Sequence, residues 1–349
     1  MAANSREQAR LFAALIEKLE PEIRRAFMAS VTDLRANVDW PTLLSALETY
    51  DIEGAIAALN IDESAFSEYS ASVSSAYAQA GSSTAAQLVQ QDIGPIGTRF
   101  NMSNPRAQAW IREHVGASVV GFTREQVRAA RELIEAGYQA GAGPRNIAVD
   151  LVGRVVGGER QGGILGLDVP RAERLRIVAE GMKSAQGVRE LVTEHNDGTV
   201  SVRYKVNKAT AQRILKAHRD GTAVPPENQA ISVNQYRNLL LKDRADTVAM
   251  TEAGNAVMGA RDEQWRQLAE ARGLDARNVR KTWRHRRGAS QYHRPDHLAM
   301  SGESVMGLDA TFDFPDGVSM RYAHDRIGGA KHLIRCGCDT TYDLVEFVR

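Results

Sequence analysis

Ser232-Val233-Asn234-Gln235 opens the stretch whose reading decides the fold, and Lys281-Thr282-Trp283 closes it. Ser232 followed three residues later by Gln235 is a capping-box signature, no proline recurs before Pro295, and Gly273 offers a C-terminal stop. The stretch predicts one helix of roughly 40 residues, about 60 Å at 1.5 Å per residue. That is longer than a compact domain needs and suited to bridging two packed units. Leu239, Leu240, Val248, Val257, Trp265 and Leu268 are its apolar anchors, with Gly254 and Gly259 as weak points. Thr247, Thr251 and Asn255 recur at i, i+4 and i+8, a polar stripe read as a solvated or modestly hydrogen-bonded face.

Working outward toward the N-terminus, residues 5 to 36 keep apolar side chains at helical period through Leu11, Phe12, Ile16, Ile23, Phe27 and Leu34. Pro21 interrupts them, so two helices or one kinked helix fit equally. Asp39-Trp40-Pro41 reads as a helix start, residues 42 to 60 as a helical hairpin, and residues 63 to 90 as a helix of small side chains. A connection follows, then a helical hairpin with one arm from Thr123 to Tyr138 and the other from Pro144 to Val156. Gly157 to Gly166 lacks both a Gly-Lys-Ser/Thr ending and a preceding strand, so it reads as a glycine-rich connector rather than a phosphate loop. Asn196-Asp197-Gly198, followed by Val200, Val202, Tyr204 and Val206, suggests a short strand or hairpin. The expected fold is mainly α: a helical body, one long bridging helix and a small α+β C-terminal module. Its segments are an N-terminal helical region (1–94), a central helical region with an irregular or short-strand insertion (95–231), and the long helix plus module (232–349).

At 349 residues and 43% hydrophobic, the chain can bury sizeable cores. Net charge is +1, so no global field favours nucleic acid. No apolar run of about 18 residues exists, and Met-Ala-Ala-Asn-Ser-Arg-Glu lacks a signal-peptide layout; no membrane association is expected. Two cysteines one residue apart are poorly placed to bond each other, which points to synthesis in a reducing compartment.

Chemistry concentrates between His285 and Cys338, which hold both cysteines and five of the eight histidines. Cys336 and Cys338 offer two thiolates, and His297 and His332 complete a candidate tetrahedral zinc shell of the structural kind. His293 is a substitute ligand, and His285 stands outside the shell. Arg277, Arg280, Lys281, Arg284, Arg286 and Arg287 form a basic run around Trp283, a candidate surface for DNA phosphates or an acidic partner. Asp296, Glu303, Asp309, Asp325 and Asp339 are available to a metal-dependent nuclease, but no hydrolase motif accompanies them, and no catalytic residue is assigned.

Four motifs occur in a telling order: Arg244 to Ala253 with Thr251-Glu252; Lys281-Thr282-Trp283; His297 with Gly302 five residues on; and His332 four residues before Cys336-Gly337-Cys338. In that order they resemble the Mu F-like minor head proteins of tailed phages, over residues 244 to 338. Residues 121 to 155 also resemble the stretch that precedes these motifs in such proteins. The family usually has an arginine where this chain has Met250 and another where it has Gly337. The resemblance implies a structural, non-enzymatic protein of the virion, made in the host cytoplasm and placed inside the head near the portal vertex. Its partners would be the portal protein, with packaged DNA and major capsid or scaffold proteins; its roles would be head assembly and DNA packaging, retention or ejection. A nucleic-acid-binding protein and a metal-dependent nuclease delivered with the genome are the alternatives. Glu252, expected to be covered by the C-terminal module, should pair with a donor there, the arginines of 277 to 287 being candidates.

Overall fold

The computed structural model describes residues 5–286 and 293–345. Helix α1 (Ser5–Ala36) runs unbroken with Pro21 inside it, which settles the alternative left open above in favour of one helix. Asp39 caps α2 (Trp40–Glu48) by accepting from the Thr42 N–H, and Asp51 caps α3 (Ile52–Ala58) in the same way through Gly54. The small-residue stretch forms α4 (Ser67–Gln90), where Gly81 lets the Phe100 ring lie against the backbone; a Cβ there would fall 2.2 Å from that ring. Asn104 and Pro105 start α5 (Pro105–Trp110), which continues through a π-helical turn (Ile111–Val115) into α6 (Gly116–Gln139). Thr123 is therefore inside a helix rather than at its start, and its hydroxyl donates back to the Val120 carbonyl.

Helix α7 (Pro144–Val152) stops at Gly153, whose φ is +91°, and not at Val156. Strands β1 (Arg154–Val156) and β2 (Glu159–Gln161) then pair antiparallel across Gly157-Gly158. Both turn glycines have positive φ, +61° and +88°, as a two-residue hairpin of the primed type requires. Helices α8 (Val169–Gly181) and α9 (Ala185–Glu190) lead to the hairpin β3 (Val192–Glu194) and β4 (Val200–Val202), at the place where the Asn-Asp-Gly turn predicted one. Helix α10 (Lys208–Asp220) precedes the long helix α11 (Pro226–Arg272).

Helix α11 is 47 residues, about 70 Å. It starts six residues before the capping-box reading, with a proline in its first turn. Ser232 lies buried within it, its hydroxyl 3.2 Å from Arg213 Nη1. At the other end Gly273 has φ +61°, and the Leu274 N–H reaches back to the Ala269 carbonyl at 2.8 Å. No helix among the described residues is long and apolar enough to cross a membrane.

The C-terminal module holds β5 (Val279–His285), α12 (Pro295–Ala299), β6 (Ser304–Met306), β7 (Phe312–Asp313), β8 (Ser319–Met320), α13 (Gly329–Leu333) and β9 (Cys338–Leu344). Strand β5 is central, antiparallel to β6 on one side and to β9 on the other. Trp283, Phe312, Phe314, Met320, Ala323, Leu333, Cys336 and Cys338 form one buried cluster.

The chain groups into two compact units rather than into the three consecutive segments read from sequence. One comprises residues up to Phe27, Phe66–Val119 and everything from Asp246 on; the other is Met28–Ala65 with Val120–Ala245. Within the first, Phe12, Leu19, Ile23, Tyr69, Tyr77 and the α11 residues from Ala253 to Trp265 are buried. Within the second, Val31, Leu43, Leu47, Ile134, Ile147, Leu151, Val178 and Ile214 make the core. Arg244 is buried there too: its guanidinium donates to the Gly166 carbonyl at 2.9 Å and pairs with Glu125 at 3.0 Å.

Candidate metal centre

Strand register brings the module's chemistry to one place. His285 at the end of β5 pairs with Cys338 at the start of β9. Helix α13 ends after Leu333, and Arg335, with φ +51°, turns the chain so that Cys336 follows Leu333 into the same buried cluster. Gly302, at φ +101°, donates its N–H to the Trp283 carbonyl at 2.8 Å; this joins the chain after α12 to β5 and so places α12 with its His297.

His297 Nδ1 lies 3.5 Å from Cys336 Sγ and 3.4 Å from Cys338 Sγ, and the three ligand atoms fall within 4.8 Å of one another, all buried. Among the described residues this group could hold a metal ion. A tetrahedral centre with bonds of about 2.0 Å to nitrogen and 2.3 Å to sulfur puts those atoms about 3.6 Å apart, close to what is seen. The hydrogen bond between the two cysteine side chains draws the Cys336 pKa well down and pushes that of Cys338 up.

His332 is not in this group, contrary to the sequence expectation. Its Nδ1 faces His297 Nε2 at 2.9 Å, and its Nε2 faces Asp316 Oδ2 at 3.0 Å. The network assigns the protons: Nε2–H of His332 donates to the carboxylate, Nδ1 of His332 accepts from Nε2–H of His297, and the His297 Nδ1 lone pair is left toward the sulfurs. Lys331, and then His332, hold the Asp316 carboxyl well below its usual range, which keeps it an acceptor. Trp283 stands edge-on to the His297 ring at 5.5 Å and 89°, and Phe314 flanks both His297 and His332.

His285, which the sequence reading set aside, reaches Cys338 Sγ through Nδ1 at 3.4 Å. His293, the expected substitute ligand, instead meets His285 Nε2 at 2.9 Å. No carboxylate belongs to the three-residue group among the described residues. Asp309 and Asp325, offered as possible metal acids, pair with Arg266 and Arg321, and Asp339 is fully buried with Arg286 Nε at 3.5 Å.

The motif on α11 serves the same module. The Arg335 guanidinium donates to the Thr247 hydroxyl at 2.8 Å, the Arg335 N–H to the Thr251 hydroxyl at 3.1 Å, and His324 meets Asn255 Oδ1 at 3.3 Å. Of the two readings, a solvated or a modestly hydrogen-bonded face, the stripe takes the second, and it is the seat of the C-terminal module. Farther along, Arg261 donates to the Thr340 carbonyl, the Tyr342 hydroxyl to Asp262, and Trp265 stacks on Tyr342. Gln8 of α1 bonds both backbone groups of Tyr342, which closes the edge of β9.

Glu252 is buried as expected, but its partner is not an arginine of the module. His114 Nε2 lies 2.6 Å from its carboxylate and Ser118 Oγ 3.3 Å, both from the π-turn and α6. His114, His324 and Asp316 are the residues that sequence reading missed; Asn255 was read only as part of the polar stripe, and His285 was placed outside the shell.

The basic run does not present a common face. Strand alternation buries Lys281 completely, where its ammonium donates to the carbonyls of Leu308, Ala310 and Arg321 at 2.9, 2.5 and 2.8 Å. It is unavailable to DNA as placed. Arg277 pairs with Asp275, Arg280 with Asp343 at 3.6 Å, and Arg286 lies over the Phe12 ring and donates to the Gly337 carbonyl. Arg284 lies near the buried Asp339, and Arg287 lies outside the described residues. In comparisons with known proteins, the chain matches no family model, no curated protein and no solved structure.

Proposed function

We propose that this chain is a structural, non-catalytic minor head protein of a tailed phage that binds the portal during head assembly and acts in DNA packaging, retention or ejection. The observation that carries the reading is the employment of the motif residues: Thr251, Glu252, Trp283, His297, His332, Cys336 and Cys338 are all buried, Thr251 seating the module on α11, Glu252 tying α11 to His114, and the others packed within the module. Such residues form an assembly device, whereas a catalytic set would open onto a substrate cleft. The burial of Lys281, and the pairing of Arg277 and Arg280 with acids of this chain, weigh against the chain being primarily a nucleic-acid binder, although packaged DNA remains a neighbour in this reading. Virion placement near the portal vertex, with the portal protein as main partner, belongs to the same proposal.

The metal in this reading is zinc, held by His297, Cys336 and Cys338. Zinc would supply a closed cross-link between the end of the sheet and α12, and His332 with Asp316 would hold His297 in the ligating tautomer. Co-expression with the portal protein of the same phage tests the function. Co-purification at low and moderate salt is expected. Failure to co-purify, together with absence from purified virions, would overturn the reading.

A further inference from the structure

The unit formed by Met28–Ala65 and Val120–Ala245 contains a cavity of about 520 Å³, the size that takes a small organic molecule. Val149, Ile164, Leu175 and Val233 give it apolar walls. Its charged lining is unevenly matched. Glu180 pairs with Lys183, and Asp150 lies in the field of Lys183 and Arg154, but among the described residues no acid pairs with Arg237.

Arg237 is only 4% exposed. Its Nη2 donates to Asn234 and Asn238, while Nε and Nη1 are enclosed and find no acceptor. A second guanidinium lies in its field, that of Arg35, whose Nε is likewise without an acceptor. Burial draws both arginines down to about 10, and Arg35 adds its repulsion to Arg237. An enclosed cation lacking a counter-charge is costly to bury, and its missing partner is an anion.

We propose that this cavity binds a small organic anion, a carboxylate or phosphate head on a short apolar body, with the head paired to Arg237. The head draws the guanidinium off Asn238 and takes one of its two-pronged edges, Nη2 together with either Nε or Nη1, on two adjacent oxygens, as bidentate pairing requires. The body covers the apolar walls. The site is independent of the metal centre and of the head-protein reading.

Calorimetric titration of the full chain with hexanoate, hexyl phosphate and acetate tests this. One or both six-carbon anions should bind saturably and raise the melting temperature, the tighter one identifying the head, with acetate weaker for want of a body. Arg237→Met should keep or raise the stability of the free chain and weaken binding about ten- to a hundredfold. Ala179→Phe, which fills the cavity from its wall and leaves the arginine itself in the chain, should abolish binding, and it decides the matter alone if the Met variant does not fold. Absence of any response to both six-carbon anions, or binding that survives Ala179→Phe, would overturn the proposal.

Discussion

Burial alone would push the Glu252 carboxyl up; His114 at 2.6 Å outweighs it and holds the pKa below the usual range. A carboxyl whose folded-state pKa is depressed stabilises the fold above its unfolded value, about 4.3, and that contribution is lost as pH falls through the folded value. Glu252→Gln should therefore flatten the acid limb of stability below about pH 4, seen by urea unfolding across pH. An acid limb identical to the parent's contradicts the pairing. Glu252→Ala, which strands His114 in the interior, should cost about 3–5 kcal/mol. Lys281 and Arg277 make a second contrast within one basic run. Lys281→Met leaves the Leu308, Ala310 and Arg321 carbonyls without their donor and should cost at least about 3 kcal/mol, whereas Arg277→Ala should stay within about 0.5 kcal/mol. Equal stabilities for the two variants would show that the ammonium is not holding those loops. At the metal centre, His297→Ala should abolish zinc binding, and His332→Ala should weaken it about ten- to a hundredfold while leaving the site capable of filling. Zinc titration against a competing chelator distinguishes them, and complete loss in the His332 variant would return that residue to the ligand set.

At the scale of elements, the long helix shows what a sequence can and cannot disclose. Its end was legible because Gly273 must adopt a positive φ that other residues resist. Its start was misplaced by a capping-box pattern that occurs inside the helix, although a proline at the first turn is as sound a start signal and was there to read. Gly254 and Gly259, read as weak points, are points of close approach: a Cβ at the first would lie 2.3 Å from the His324 ring and at the second 2.5 Å from Trp110 Nε1. An ordinary helix glycine gains about 1 kcal/mol on becoming alanine. Gly254→Ala and Gly259→Ala should instead destabilise, and a rise in melting temperature for either would show that its ring is not packed there. The hairpin over residues 154 to 161 escaped notice because three-residue strands carry too little alternation to register. Strand β5 was hidden differently: a lysine at an inward position makes an alternating strand look like a basic patch. The cysteine and histidine cluster was legible as a cluster. Its membership was not, because whether His285 or His332 meets the sulfurs depends on strand register and on the turn after α13, which spacing alone does not encode.

At the scale of the whole molecule, the expected mainly α architecture with a small α+β C-terminal module is what the chain adopts. The grouping into units was less accessible, since α1 and α11 each contribute residues to both, and a linear reading cuts a chain into consecutive pieces. The C-terminal module has a core of eight buried residues, two of them the cysteines, so metal binding and module folding should be linked. Cys336→Ser and Cys338→Ser should each lose about one equivalent of zinc and lower the module's melting transition. The claim on which the account rests is location, and a cryo-EM map of the portal vertex in filled heads tests it most directly. Density fitting this fold against the inner portal, in few copies and with a strong peak between His297, Cys336 and Cys338, is the expected result; heads that fill and mature with no such density would contradict it.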